Sequence, residues 1–367
     1  MTDVLIAGAG PTGLTLACEM ARRGAGVRIV DQRSAPHRES RGKTLHPDTL
    51  ELLEGLDVAG RLAGIGSRGL VFRKYFDGAH VSDTPCEGAL FMGQWQVEQV
   101  LRERLAELGV VVEYGSCLIG IRQDGAGVDA VLTDGRTIRS RYLAGCDGGR
   151  STARRLLGIP FEGSTERAPT MVLGDVTAAG LSRDYWHQWF GSDGGAMLLC
   201  PIPGTQSFQL QASPELDEHG EPLPPSPEGF RRLFERYARM PGIRLAEPTW
   251  LAAWRVNVRM ATRMREGRAF LAGDAAHVHP IAGGLGMNAG IHDAAALGRP
   301  LAAALTAPAG AGTASAVRAA AGADVLDAYE EERLPFAAEL LADTTRRHDR
   351  VLAAVREPGN GTEAGLG

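Results

Sequence analysis

Hydrophobic and polar positions along the chain follow two rhythms. Residues 3–31, DVLIAGAGPTGLTLACEMARRGAGVRIVD, run apolar, then glycine-rich, then amphipathic with a helical period, and pass through Gly24 and Gly26 into a second apolar run. Short apolar runs on either side of a helical stretch predict a strand–helix–strand unit. RYLAGCDGGRSTARRLLGI (141–159) repeats strand, turn and helix, and REGRAFLAGDAAHVHP (265–280) supplies a third strand that ends in glycine and aspartate. Between these units, DYWHQWFGSDGGAMLLCPIP (184–203) and SFQLQAS (207–213) alternate or run apolar between glycine and proline turns, the pattern of antiparallel strands. A helical run follows from Met287 to about Leu305. APAGAGTASAVRAAAGA (307–323) is low in complexity and reads as a mobile loop, and residues 324–355 are helical in period with a break expected near Pro335.

Composition narrows the function classes. With 367 residues, 44% of them hydrophobic, the chain can bury at least one large core in one to three domains. Its 39 basic and 44 acidic residues are interspersed and leave a net charge of -5, so no nucleic-acid or membrane-surface footprint stands out and small-molecule chemistry is favoured. Lysine occurs only at Lys43 and Lys74, a bias that carries no functional message by itself. The five cysteines are odd in number and lack any CxxC, and neither a signal peptide nor a membrane span is read, so a cytoplasmic protein is expected. Oligomeric state is left open.

Gly8, Gly10 and Gly13 occupy GxGxxG positions in which the first permits a tight turn, the second lets backbone approach a pyrophosphate and the third allows close helix–strand packing. Pro11 and Thr12 open the helix, whose N-terminus favours anions. Asp31 ends the second strand where a carboxylate can accept from ribose hydroxyls. This motif implies dinucleotide binding without choosing FAD or a nicotinamide. Asp147 can be a helix cap or a ligand, and Asp274 ends a strand at a rim where ligands bind. The stretch GDAAHVHPIAGGLGMNAGIHD (273–293) raises a metal site as an alternative, since His277 and His279 can face one ion; no HExxH or GxSxG accompanies it.

The order GAGPTG, CDGGRST, GDAAH resembles the class A flavoprotein monooxygenases, the family of p-hydroxybenzoate hydroxylase and the aromatic polyketide and phenol hydroxylases, over nearly the whole chain. The resemblance implies that Gly8, Gly10, Pro11, Thr12, Gly13, Asp31 and Gln32 hold the ADP half of FAD. Asp147 and Gly148 then lie near the pyrophosphate and the approach of NADPH or NADH, and Asp274 at the ribityl chain. SRGKTLHPDTLELLEGL (40–56) matches an arginine-plus-helix segment that places Arg41 on the FAD phosphates. GQWQVEQVLRERL (93–105) puts Gln94 at the ribityl chain, and VVEYGSCLIGI (111–121) puts the Leu118 backbone at adenine. Pro280, Gly283, Gly286, Met287 and Asn288 frame a helix start facing the flavin N1/O2 edge. On this reading there is no metal site, His277 is structural in its turn, and His279 and His292 are packing or surface residues. Pro280 is followed by Ile281 where the family commonly has a second proline, so the backbone framing the substrate is expected to differ.

The fold implied is α/β: a Rossmann-like FAD-binding domain of the GR2 type (1–70, 99–165, 263–305) with an interleaved substrate domain on an antiparallel β-sheet (71–98, 166–262), plus C-terminal helices and a flexible tail (306–367). Trp186, Trp189, Met197, Leu199, Phe208 and Leu210 are candidate substrate walls, and the 91–95 stretch approaches the same cavity. The activity implied is hydroxylation of a phenolic or polyketide-type ring with non-covalent FAD, NAD(P)H and O2, through a flavin C4a-hydroperoxide. The protein's part is to place the ring and exclude water, so no catalytic side chain is named. Two alternatives stay open: a Baeyer–Villiger or antibiotic-inactivating oxygenation on the same fold, and a non-catalytic flavin-containing ligand-binding protein. Larger family members carry a C-terminal thioredoxin-like domain, which is not read in this chain.

Overall fold

Val4, Leu5 and Ile6 are fully buried in succession, as expected of a parallel strand covered on both faces. In the computed structural model, which describes residues 2–168, 170–280, 284–306 and 325–356, this Thr2–Ala7 strand lies between Val27–Val30 and Thr137–Gly145, parallel to both. Ala269–Leu271 continues the parallel set beyond Thr137–Gly145, and Val112–Glu113 continues it beyond Val27–Val30. Ala7 is in register with Val30 and Gly145, and Gly145 with Leu271, so these strands stop at one rim. The hairpin of Leu118–Gln123 and Val128–Leu132 joins the Thr137–Gly145 strand antiparallel.

Strand order reverses beside Thr2–Ala7, because the chain leaves it through the Pro11–Ala21 helix toward Val27–Val30 and later returns to its other side. A crevice opens beyond the carboxyl ends of strands at such a switch point. The Pro11–Ala21 helix packs between the Gln94–Glu107 and Leu285–Thr306 helices.

A second eight-stranded sheet stands apart from the first. Its path runs Arg244–Leu245, Met171–Ala179, Ser207–Ala212, Ala196–Pro201, Tyr185–Phe190, Val71–Phe76 and Ala79–Pro85, with Trp250–Trp254 also on Met171–Ala179. All these pairings are antiparallel except that of Tyr185–Phe190 with Val71–Phe76. Residues 71–76 thus bring an early segment of the chain into the later sheet.

The faces of this sheet correct five of the six expected substrate walls. Trp189, Met197, Leu199, Phe208 and Leu210 lie on the back face, fully buried against Phe230, Leu233 and Phe234 of the Pro227–Tyr237 helix. Trp189 pairs with Met197 and Leu199 with Leu210, and because side chains alternate along a strand, all five turn away from the cleft together. Trp186 has the opposite parity and packs with Phe91 and Leu198 on the front face.

The carboxyl-terminal region also departs from expectation. Asp327–Arg356 is one unbroken helix with Pro335 inside it, and Pro300 lies inside Leu285–Thr306. Proline in a helix interior costs roughly 3 kcal/mol. Contacts in the two turns before Pro335 offset this cost: Tyr329 donates to the Leu271 carbonyl, the Glu330 carboxylate accepts from the amides of Met264 and Arg265, and Arg333 donates to Asp293. The stretch 307–323, expected to be mobile, and Ile281 and Gly283 lie outside the described residues.

Trp189→Ala should cost roughly 3–5 kcal/mol of stability by opening a cavity in the back-face core, measured by urea unfolding, while any substrate KM stays close to wild type. Unchanged stability with an altered KM would reverse the assignment of faces.

Candidate active site

The glycine turn is shaped by what surrounds it. Gly8 has φ +105, and a Cβ there or at Gly13 would collide with backbone, at Cys146 and at the Gly8 carbonyl respectively. Gly10 differs: its φ is -79, which any residue adopts, and a Cβ there would meet nothing within 4 Å. It faces open space in a cleft of about 1090 Å³. No side chain caps the Pro11–Ala21 helix, so its first amides are available to an anion.

Asp31 is buried beside this turn. One carboxylate oxygen accepts from the Ala9 amide at 2.7 Å and the other from the Arg33 amide at 2.8 Å, so it holds the turn while still lining the cleft. The N-cap of the helix that follows Asp147 is Ser151, whose hydroxyl accepts from the Arg154 amide, and Asp147 supports that helix start while lining the cleft. It accepts from the Ser151 hydroxyl and from the amides of Thr152 (2.7 Å) and Ala153 (3.0 Å), which start the Thr152–Leu156 helix. Gly148 has φ +80 with open space around it.

The third motif is held from behind by an ionic cluster. Asp293, on the Leu285–Thr306 helix, has no solvent exposure and accepts from the Gly273 amide (2.9 Å), His277 Nε2 (2.7 Å) and Arg333 Nε (2.7 Å). Burial opposes charge on Asp293, but His277 and Arg333 hold its pKa down to about 2. Burial likewise opposes charge on His277, yet the Asp293 carboxylate raises its pKa above that of an ordinary imidazole. This pairing gives His277 a structural role. Among the described residues no group of three or more His, Cys, Asp or Glu is placed to hold a metal ion.

Asp274 consequently projects into the cleft, exposed to the cavity though surrounded by protein, and burial pushes its carboxyl above the ordinary range. Thr12 fits against Gly273 and Gly290, where any Cβ would strike its hydroxyl, so the first and third motifs lock together.

Of the sequence-derived cofactor residues, Gly8, Gly10, Pro11, Thr12, Asp31, Gln32, Arg41, Gln94, Leu118, Asp147, Gly148, Asp274, Pro280, Gly286 and Met287 line this one cleft. Gly13 does not; it packs behind the turn. Asn288 is not among the lining residues; its side chain accepts from the His46 amide and donates to the carbonyls of Thr44 and Gly284, tying the helix start to the 44–46 segment. Arg41 is exposed and paired with Glu39. Gln94 accepts from the Gly42 amide (3.3 Å) and donates to Glu98 (2.9 Å).

The segment carrying Arg41 is fastened to the second sheet. Asp175 accepts from the Ser40 amide and hydroxyl, while Gln209 donates to the carbonyls of Ser40 and Arg41. Phe72, Phe91, Trp186, Leu198, Gln211 and Trp254, most of them from the second sheet, line the far half of the cleft.

Sequence reasoning missed several cleft residues, His279 and Lys43 among them. His279 lines the cavity with its Nδ1 donating to the Pro280 carbonyl and Nε2 unpartnered toward Gly286, and burial lowers its pKa to about 4, so it is neutral at physiological pH. Lys43 lines the cavity with its ammonium 4.0 Å from the Trp186 ring centre. Lysine scarcity was visible at Lys43, but nothing in the sequence placed it inside.

Comparison with known proteins agrees with this geometry. A family model described as an FAD binding domain matches residues 1–344. The chain is 34% identical over 377 residues to a flavin-dependent monooxygenase of Mycobacteroides abscessus, covering 97% of this chain and 76% of that one. It is 35% identical over 385 residues to a rifampicin monooxygenase of Streptomyces venezuelae, covering 98% and 73%. The ternary complex of aklavinone-11 hydroxylase with FAD and aklavinone superposes with a TM-score of 0.81 at 28% identity, covering 97% and 70%. Cleft and comparisons together define a class, the FAD-dependent monooxygenases that act on aromatic compounds. The chain belongs to this FAD-binding-domain family and is an FAD-dependent aromatic monooxygenase.

Two substitutions separate cofactor fit from folding. Gly10→Leu should fold normally yet purify without flavin, since its side chain would fill the open space at the turn; Gly13→Ala should lower the melting temperature by colliding with the Gly8 carbonyl. Full flavin content in Gly10→Leu, read from visible absorbance, would place the cofactor elsewhere.

The ionic cluster predicts a pH effect. His277 has a raised folded pKa, so its contribution is fully present below the ordinary imidazole pKa and is lost as pH rises through the folded value. Asp293 has a lowered one, so its contribution is present above the ordinary carboxyl pKa and is lost as pH falls toward about 2. Thermal melting should therefore show an alkaline loss that vanishes in His277→Gln, and Arg333→Met should cost roughly 3–5 kcal/mol by leaving a buried charge short of a partner. An alkaline limb identical in His277→Gln would show that the imidazole is not the titrating group.

Proposed function

We propose that the protein hydroxylates a phenolic or polyketide-type ring, with FAD in the near half of the cleft and the ring in the far half under the second sheet. The observation that carries this reading is the convergence of three strand-end motifs on one cleft that continues beneath an aromatic wall. Its volume of about 1090 Å³ exceeds the roughly 300–1,000 Å³ common for a single small-molecule site, which leaves room for a cofactor and a second ligand.

FAD, once reduced by NAD(P)H, supplies activated oxygen, and every other task falls to the chain. The open face of Gly10 and the uncapped start of the Pro11–Ala21 helix accept the pyrophosphate. Asp31 has acceptor capacity left for the adenosine ribose, and Arg41 can exchange Glu39 for phosphate as a bidentate partner. Asp274 meets the ribityl hydroxyls. The amides opening the Leu285–Thr306 helix would stabilise negative charge on a reduced flavin bound beside them. Phe72, Phe91, Trp186 and Leu198 exclude water and fix the plane of the ring. Five free cysteines suit a reducing cytoplasm, and no helix among the described residues is long and apolar enough to cross a membrane.

The test combines three measurements. The purified protein should be yellow with non-covalent FAD; phenols and polyketide intermediates should stimulate NADPH oxidation; and a product should gain the mass of one oxygen atom with no loss of rate in EDTA. Asp274→Ala should weaken FAD binding by roughly 1–3 kcal/mol. A preparation that takes up no flavin, or chelator-sensitive turnover with stoichiometric metal, would overturn the reading. A ring-expanded ester among the products would move it to Baeyer–Villiger chemistry.

A further inference from the structure

Lys43 and Lys74 are the two lysines of this arginine-rich chain, and Lys43 stands at the seam of the cleft. On one side its neighbour Gly42 approaches Gln94 and Met287, which line the cofactor half. On the other, its amine lies over the indole face of Trp186 in the substrate half. Its segment is held by the bonds from Asp175 and Gln209 to Ser40 and Arg41, and by the Met92 amide donating to the Lys43 carbonyl. The backbone is therefore fixed and the amine is presented to the cavity.

The charge environment of this amine is unusual. Among the described residues it makes no ion pair and no side-chain hydrogen bond; its one recorded partner is the Trp186 ring. An aromatic face favours the cation without occupying its N–H donors. From the Ala196–Pro201 strand the Cys200 thiol faces it, held neutral by burial with a pKa near 12, and around that thiol lie Cys86 and Arg183. On its own segment Arg41 is paired with Glu39, and Glu87 lines the same cavity without an ion pair to Lys43. Burial lowers the Lys43 pKa to about 8, so near neutral pH the amine can give or take a proton.

We propose that Lys43 is a catalytic residue of this enzyme: its amine takes the proton of an acidic hydroxyl on the bound aromatic ring and, as the ammonium, holds the resulting oxyanion. The hydroxyl O–H bond breaks, its electron pair stays on oxygen and an N–H bond forms at Nζ; nothing is oxidised or reduced in this step. Where the amine enters already protonated, the same pair forms by capture of the ring's anion. The negative charge spreads to ring positions ortho and para to the oxygen and prepares them for an electrophilic oxygen atom. The buried surroundings, in which no carboxylate pairs with the amine, strengthen the pair and favour rings with an ionisable hydroxyl over their ethers.

This inference rests on the aromatic-hydroxylase reading and is tested without turnover. The FAD-loaded enzyme, with no NADPH, is titrated with 4-nitrophenol, whose neutral and ionised forms differ in colour, and with its methyl ether 4-nitroanisole. In wild type the bound phenol should ionise at a lower pH than in water. Lys43→Met, first checked for full flavin content, should lose that shift and about tenfold or more in affinity for the anion, equivalent to one pKa unit or more, while the ether binds as before. Lys43→Arg should retain the anion preference and lose the pH dependence near 8. Because the chain has two lysines, trace acetylation followed by peptide mass analysis reads Lys43 against Lys74, and Lys43 should label with a midpoint near 8. The same ionisation of bound phenol in wild type and Lys43→Met, or labelling of Lys43 like an ordinary lysine, would overturn the proposal alone. Failure of both ring compounds to bind a flavin-loaded protein that no phenol stimulates would sink the underlying reading and the proposal with it.

Discussion

Asp293 is the point on which the architecture of the cleft depends. A carboxylate without solvent contact persists only if its charge is met by donors, and here the three donors come from different parts of the chain: the Gly273 amide, His277 and Arg333. Through the first it sets the turn that aims Asp274. Through the second it fixes the short His277–Val278 strand against Asn257–Ala261, and through the third it docks the long carboxyl-terminal helix under the sheet. Removing one donor exposes the others' commitments, so the third motif and the last helix are mechanically a single unit.

Much of the cofactor half was legible in the sequence because backbone geometry there demands particular residues. A positive φ at Gly8 and the tight approach of Gly13 to the Gly8 carbonyl admit only glycine, and such demands leave a fixed spacing that can be read without coordinates. The carboxylates that end strands are legible for a similar reason: strand, turn and acid must follow one another along the chain. The tie from the Asn288 side chain to the 44–46 segment was not legible, because it spans more than two hundred residues and no local pattern reports it.

The substrate half was legible as strands but not as faces. Trp186 and Trp189 differ by an odd number of positions, and only the packing of the Pro227–Tyr237 helix decides which of them is core. Pro335 shows the same limit from another side: local propensity reads a break, whereas anchored turns on its amino-terminal side keep the helix intact. The position of Lys43 follows from the strapping of Ser40 and Arg41 to Asp175 and Gln209, again a long-range fact.

The alternating strands of the second sheet have an evolutionary consequence. Each carries two interleaved messages, one addressed to the helix behind it and one to whatever occupies the cleft. Trp189, Met197 and Leu199 spell out persistence of the fold; Trp186 and Leu198, one position out of phase, spell out the guest. Selection can rewrite the second text while leaving the first untouched, so a lineage built on this sheet can wander among ring systems by single substitutions without passing through unfolded intermediates.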